Sequence, residues 1–158
     1  MRAPKLTAFL LPLIIFIIFI SCKKTSELER ENIYVGKGLA MTGAQETPAV
    51  NTSATGAVDA EYNRLTKTLR YKVTFSGLTD SATAAHIHGL GEVGVTAPVV
   101  QTFNGFPRRI AGSYSGSLLV DGVKIKEEDI LANRYYVNIH SKVYGSGEIR
   151  TQLILSKQ

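Results

Sequence analysis

Polar and apolar residues alternate most cleanly over residues 68–75, where Leu69, Tyr71, Val73 and Phe75 share one parity and Arg70, Lys72 and Thr74 the other. Side chains on a β-strand point alternately to opposite faces, so this run predicts a strand with one face in a core and one in water. Residues 55–62 repeat the pattern with Val58, Ala60 and Tyr62, and Asn63-Arg64 between the two runs predicts a hairpin. Further runs follow at residues 83–88, 98–103, 111–120, 135–140 and 148–155, separated by breaks rich in Gly, Asn and Asp. Residues 34–42 hold a weaker run interrupted by Gly36 and Gly38, which predicts an edge or bulged strand. The one helical signal is at residues 126–133: Glu127, Glu128 and Asp129 crowd a first turn, and Asn133 suits a left-handed C-terminal position. About seven or eight short strands and one short helix near residues 126–132 predict an all-β fold, an antiparallel, Greek-key-like β-sandwich or barrel.

The N-terminus follows a different pattern. Residues 6–20 are almost uniformly apolar, with Arg2 and Lys5 before them and Ser21-Cys22-Lys23-Lys24 after. This is the layout of a secretory signal, and it is shorter than the ~20 apolar residues a membrane-spanning helix needs. Cys22 is the only cysteine in the chain. Ile20-Ser21-Cys22 resembles a bacterial lipobox, with Phe19 where leucine is usual, and this predicts acylation of Cys22. The expected organisation is a lipoprotein signal peptide at 1–21, a lipidated N-terminus and polar linker at 22–32, and one folded domain at 33–156. Each buried acyl methylene contributes about 0.8 kcal/mol, so the lipid would hold the protein on a membrane of the bacterial envelope, the outer membrane being the expected one. Loss of residues 1–21 leaves sixteen basic against thirteen acidic residues, a net charge of +3. With no basic patch interleaved with aromatics, that argues against nucleic acid as a partner. A single cysteine also excludes an intramolecular disulfide.

Candidate chemistry collects around the three histidines. In Ala84-Ala85-His86-Ile87-His88-Gly89 the two imidazoles share a strand face opposite Ala85 and Ile87, and in Tyr136-Val137-Asn138-Ile139-His140 the same holds for Asn138 and His140. Two readings follow. The preferred one on the residues alone is a buried polar network of these side chains with Glu148 and Arg150, the latter two forming a charge-assisted pair. The other is a metal site at His86, His88 and His140, with zinc or copper suited to imidazole and Glu148 as a fourth ligand or an acceptor for a ring N–H. Catalysis has little support: Ser141 adjoins His140 but sits on no nucleophile elbow.

Several stretches in order carry a resemblance. They are Leu39-Ala40-Met41-Thr42-Gly43-Ala44-Gln45-Glu46-Thr47-Pro48, Thr55-Gly56-Ala57, Leu69 through Leu78, Ala84 through Gly89, Pro98-Val99-Val100, Tyr136 through His140, and Gly147-Glu148-Ile149-Arg150-Thr151-Gln152-Leu153. Together they resemble the CHRD domain, named for chordin and found also in microbial secreted proteins. Thr151 and Asn133 stand where glycine is common in that pattern. The resemblance implies an antiparallel β fold and no general catalytic activity; no cofactor is expected apart from the zinc or copper of the metal reading. It points to a binding or structural module, with an envelope protein or glycan as the expected partner. The His-x-His strand is also similar to that of copper/zinc superoxide dismutases, but those enzymes need more histidine ligands and a disulfide, so dismutase activity is not expected.

Overall fold

The structure is a computed structural model that describes residue 27 and residues 30–158; the apolar leader, Cys22 and most of the linker lie outside the described residues. Residues 33–158 form one unit of nine strands: β1 (Ile33–Thr42), β2 (Thr55–Asn63), β3 (Thr68–Ser76), β4 (Ala82–Gly89), β5 (Val99–Thr102), β6 (Gly112–Leu119), β7 (Tyr135–Ser141), β8 (Ile149–Gln152) and β9 (Ser156–Lys157). A 3-10 turn, Gly43–Gln45, follows β1, and a helix, α1 (Glu127–Leu131), precedes β7. The pairings are all antiparallel, in the order β5-β4-β7-β8-β1-β2-β3-β6, with β9 also on β1. No helix of the described residues is long and apolar enough to cross a membrane.

The clean alternation of residues 55–76 becomes the β2–β3 hairpin, whose inward residues Val58, Tyr62, Leu69 and Val73 are fully buried. The end strands β5 and β6 approach each other through side chains. Phe103, just after β5, stacks on Tyr71 and on Tyr114 of β6, at 4.9 Å between ring centroids in each pair. Gln101 of β5 accepts a hydrogen bond from the Tyr71 hydroxyl (2.9 Å) and donates one to the Ser117 carbonyl on β6 (2.8 Å). The sheet is thus a nearly closed barrel around one aromatic and aliphatic core.

Two expectations about strands need adjusting. β1 is bulged between Gly36 and Leu39, but it is not an edge: β2 flanks one side and β8 and β9 the other. The run 148–155 shortens to β8, because Ile154 bonds back to the Gln152 carbonyl just after Leu153 has made a last bond to Tyr135 of β7, and β9 lies beyond the run.

Candidate functional site

β4, β7 and β8 lie side by side, and their registers arrange the outward side chains in rows. His88 faces Tyr136, which faces Gln152; His86 faces Asn138, which faces Arg150; Ala84 faces His140. Parity puts them there, since the alternating residues Ala85, Ile87, Val137, Ile139 and Ile149 are fully buried in the barrel core. Loops cover this outer face, so that His88, Asn138, Arg150 and Gln152 are buried too. β4 is irregular between Ile87 and His88 against β5, which re-aims His88 relative to His86.

The hydrogen bonds fix the histidine tautomers. His88 Nδ1–H donates to the Ala97 carbonyl (2.8 Å) and His140 Nδ1–H to the Gly145 carbonyl (3.0 Å), because a carbonyl only accepts. In the neutral form of either ring the Nε2 lone pair is then left free. Both Nε2 atoms point at Asn138 Oδ1, at 3.0 Å for His88 and 3.1 Å for His140. His86 Nδ1 lies 3.0 Å from His140 Nε2. Each imidazole offers one nitrogen within 4.8 Å of the other two. Burial first, then the neighbouring His140 and His88, pushes the His86 pKa down to about 4; burial likewise lowers that of His140. Neutral imidazole is the form that ligates metals.

The surroundings of His88 are aromatic. Its ring lies parallel on Tyr136, at 4.7 Å and 2°, and the Arg150 guanidinium stacks over that same tyrosine at 3.4 Å. The Ala97 amide donates to the Tyr136 hydroxyl (3.1 Å), so one short loop holds both rings. Glu46, which follows the 3-10 turn, is 8% exposed, and its Oε1 has no hydrogen-bond partner. Burial pushes its pKa up to about 7 against the opposing pull of Arg150, the Asn138 amide and the Thr47 amide. Gly147, at φ +132°, leaves room for this carboxyl: a Cβ there would collide with Glu46 Oε1 and stand 2.8 Å from Asn138 Nδ2.

The structure brings His86, His88, His140 and Asn138 into contact and leaves Glu148 out. β8 begins only at Ile149, and the irregular backbone at Gly147 breaks the alternation, so the Glu148 carboxylate turns away from the histidines. Its Oε1 accepts hydrogen bonds from Thr52 Oγ1, Thr79 N and Thr79 Oγ1, each at 2.8 Å. Burial would raise its pKa, but bonds from Ser141, Thr79 and Thr52 bring it below the usual carboxylate value. The expected Glu148–Arg150 pair is therefore not formed: Arg150 stacks on Tyr136 and bonds the Val95 carbonyl (3.0 Å) instead.

The CHRD family model matches residues 38–153. The chain belongs to the CHRD domain family. As a CHRD domain it is a binding or structural module, and the matched span contains every residue of the histidine face together with Glu46. No curated protein and no solved structure gives a significant match to the chain. Two participants of this CHRD site escape a reading of the sequence. Tyr136 was available from parity, since it shares a face with Asn138 and His140. Glu46 gave no signal, because a glutamate among Gly, Thr and Pro reads as an exposed turn.

Proposed function

We propose that this CHRD domain binds one transition-metal ion, zinc or copper, through His86, His88 and His140. The observation that carries the reading is the convergence of acceptors: two imidazoles whose Nδ1–H groups are tied to backbone carbonyls turn their Nε2 lone pairs toward a common point. Backbone carbonyls on the distal ring nitrogen are the usual outer support of metal-bound histidine. His86 Nε2 makes no hydrogen bond to protein among the described residues, so moving its proton there frees Nδ1 as the third ligand at the cost of one hydrogen bond, the one His86 Nδ1 makes to His140 Nε2. With bonds of 2.0–2.1 Å, tetrahedral ligands stand roughly 3.3 Å apart, close to the His86–His140 separation of 3.0 Å. Small ring rotations would have to draw in the widest separation of the set. Ser141, fully buried and accepting from the Tyr144 amide, offers no exposed nucleophile beside His140, and the proposed role is one of binding.

A second reading rests on the Asn138 amide. Turned over, its NH2 would donate to both Nε2 atoms and close a metal-free polar network. Titrating chelator-treated protein with zinc or copper separates the two. One equivalent should bind, and at 100 times Kd the ion should add about 2.7 kcal/mol of stability. The double variant His86→Ala/His88→Ala should lose both effects. Melting that neither metal nor chelator alters would leave the polar network as the answer.

The leader and Cys22 support placing this module on a lipid anchor at a bacterial envelope membrane. Cys22→Ser should abolish palmitate labelling and release the protein from membranes; retention of both would overturn the anchor.

A further inference from the structure

Next to the histidine face lies a cavity of about 190 Å³ lined by Ala44, Glu46, Val93, Gly94, Arg150 and Gln152. Arg150 is 2% exposed, yet among the described residues no carboxylate reaches it within ion-pair distance. Its two hydrogen bonds, to the Val95 carbonyl and to Gln152 Oε1, both use Nη2. Neither Nε nor Nη1 bonds to protein among the described residues, although a guanidinium carries five N–H donors. The Tyr136 ring beneath it offers a π face, which steadies the cation without accepting those donors. The nearby Glu46 carboxyl attracts the guanidinium without bonding to it, and an anion in the adjoining cavity would supply a bonded partner.

We propose that this cavity binds a short-chain monocarboxylate, its carboxylate set against the unbonded donors of Arg150. Size limits the ligand first, because the volume lies below the 300–1,000 Å³ typical of drug-sized pockets. Charge limits it next: one guanidinium beside one carboxyl matches a single negative charge and disfavours a dianion. Ala44 and Val93 supply apolar wall for a short alkyl chain. Gln152 is a strut rather than a ligand, since its NH2 is already committed to the carbonyls of Gly91 (2.8 Å) and Asn133 (2.7 Å). Glu46 in its acid form would donate an O–H to the bound carboxylate. The site is separate from the histidines and does not depend on a metal being bound there.

The test is calorimetric titration of the chelator-treated full chain with propionate, alongside sulfate and propylammonium at matched ionic strength. Propionate should bind saturably with one equivalent, and the other two should not. Ala44→Phe fills the cavity from an exposed position of the 3-10 turn and should weaken propionate at least tenfold while leaving zinc and copper titrations unchanged. Arg150→Gln, checked for folding by circular dichroism, should also lose binding. Absence of saturable propionate binding would overturn the proposal. So would equal binding of sulfate or propylammonium, or undiminished binding by Ala44→Phe.

Discussion

Glu46, buried, and His86, partly buried, are two titratable groups whose environments move them in opposite directions. Burial raises the Glu46 carboxyl from 4.5 to about 7, so the folded state holds that proton more tightly than the unfolded chain does. Its contribution to stability is fully present below pH 4.5 and is lost as pH rises through about 7. His86 is lowered from 6.5 to about 4, so its contribution is present above pH 6.5 and is lost as pH falls toward 4. Between these limits the two partly cancel, and the native protein should show a shallow pH profile. Glu46→Gln removes one side of the balance. At about 1.4 kcal/mol per pKa unit, the variant should gain up to roughly 3 kcal/mol at pH 8, and its stability should fall more steeply on acidification. Urea unfolding between pH 5 and 8 measures both, and a profile that overlays the native one would show that Glu46 is not desolvated.

At the scale of elements, α1 is the clearest case of a short segment held by one side chain. It has five residues and no side-chain N-cap, too little for a helix to persist alone. Glu127 docks it on the β2–β3 hairpin by accepting hydrogen bonds from Tyr62 (2.7 Å), Arg64 (2.7 Å) and Lys67 (2.8 Å). Burial alone would raise this carboxyl, but the bonds from Lys67, Arg64 and Tyr62 outweigh it and hold the pKa at about 2. Its stabilisation is therefore present above pH 4.5 and is lost as pH falls toward 2. Glu127→Gln should cost about 1–3 kcal/mol at pH 7, and the difference from the native protein should vanish near pH 2 in thermal melts. An equal deficit at both pH values would mean that shape, not charge, holds the helix. The helix and its acidic first turn were legible in residues 126–133, as was the β2–β3 hairpin in its alternation. The docking partners were not, because Tyr62, Arg64 and Lys67 lie some sixty residues away and no local pattern links them. The same limit applies to the histidine face. Parity alone puts His86, His88, Asn138 and His140 on matching faces, but the turn at Gly147 that diverts Glu148 is a backbone event hidden behind an ordinary Gly-Ser-Gly sequence. The burial of Glu46 likewise depends on loops folding over it from elsewhere in the chain.

For the molecule as a whole, the order of strands is the feature with the widest effect. Neighbours in the sheet are often remote in sequence: β4 pairs with β7, and β3, with its hairpin partner β2 on one edge, takes β6 on the other. The barrel encloses a core, while the ligand-type side chains stand on its outer wall beneath a covering of loops. Outward side chains on β4, β7 and β8, those of the two proposed sites included, can therefore be altered without rebuilding the interior, provided the inward parity is kept. The Gln101 contacts across the seam bring β5 and β6 together by side chains in place of a backbone ladder.

β1 carries a further consequence. One of its edges is filled at once by β2, but the other is filled only by β8 and β9, with Thr42 opposite Arg150 and Tyr34 opposite Lys157. During synthesis that edge stays open until β8 and β9 have been made, so the barrel cannot close on a chain that stops before them. Contacts of such long sequence separation also form slowly. The first strand of the domain therefore lacks half of its partners until β8 and β9 have emerged, a delay that would suit the export proposed for this chain.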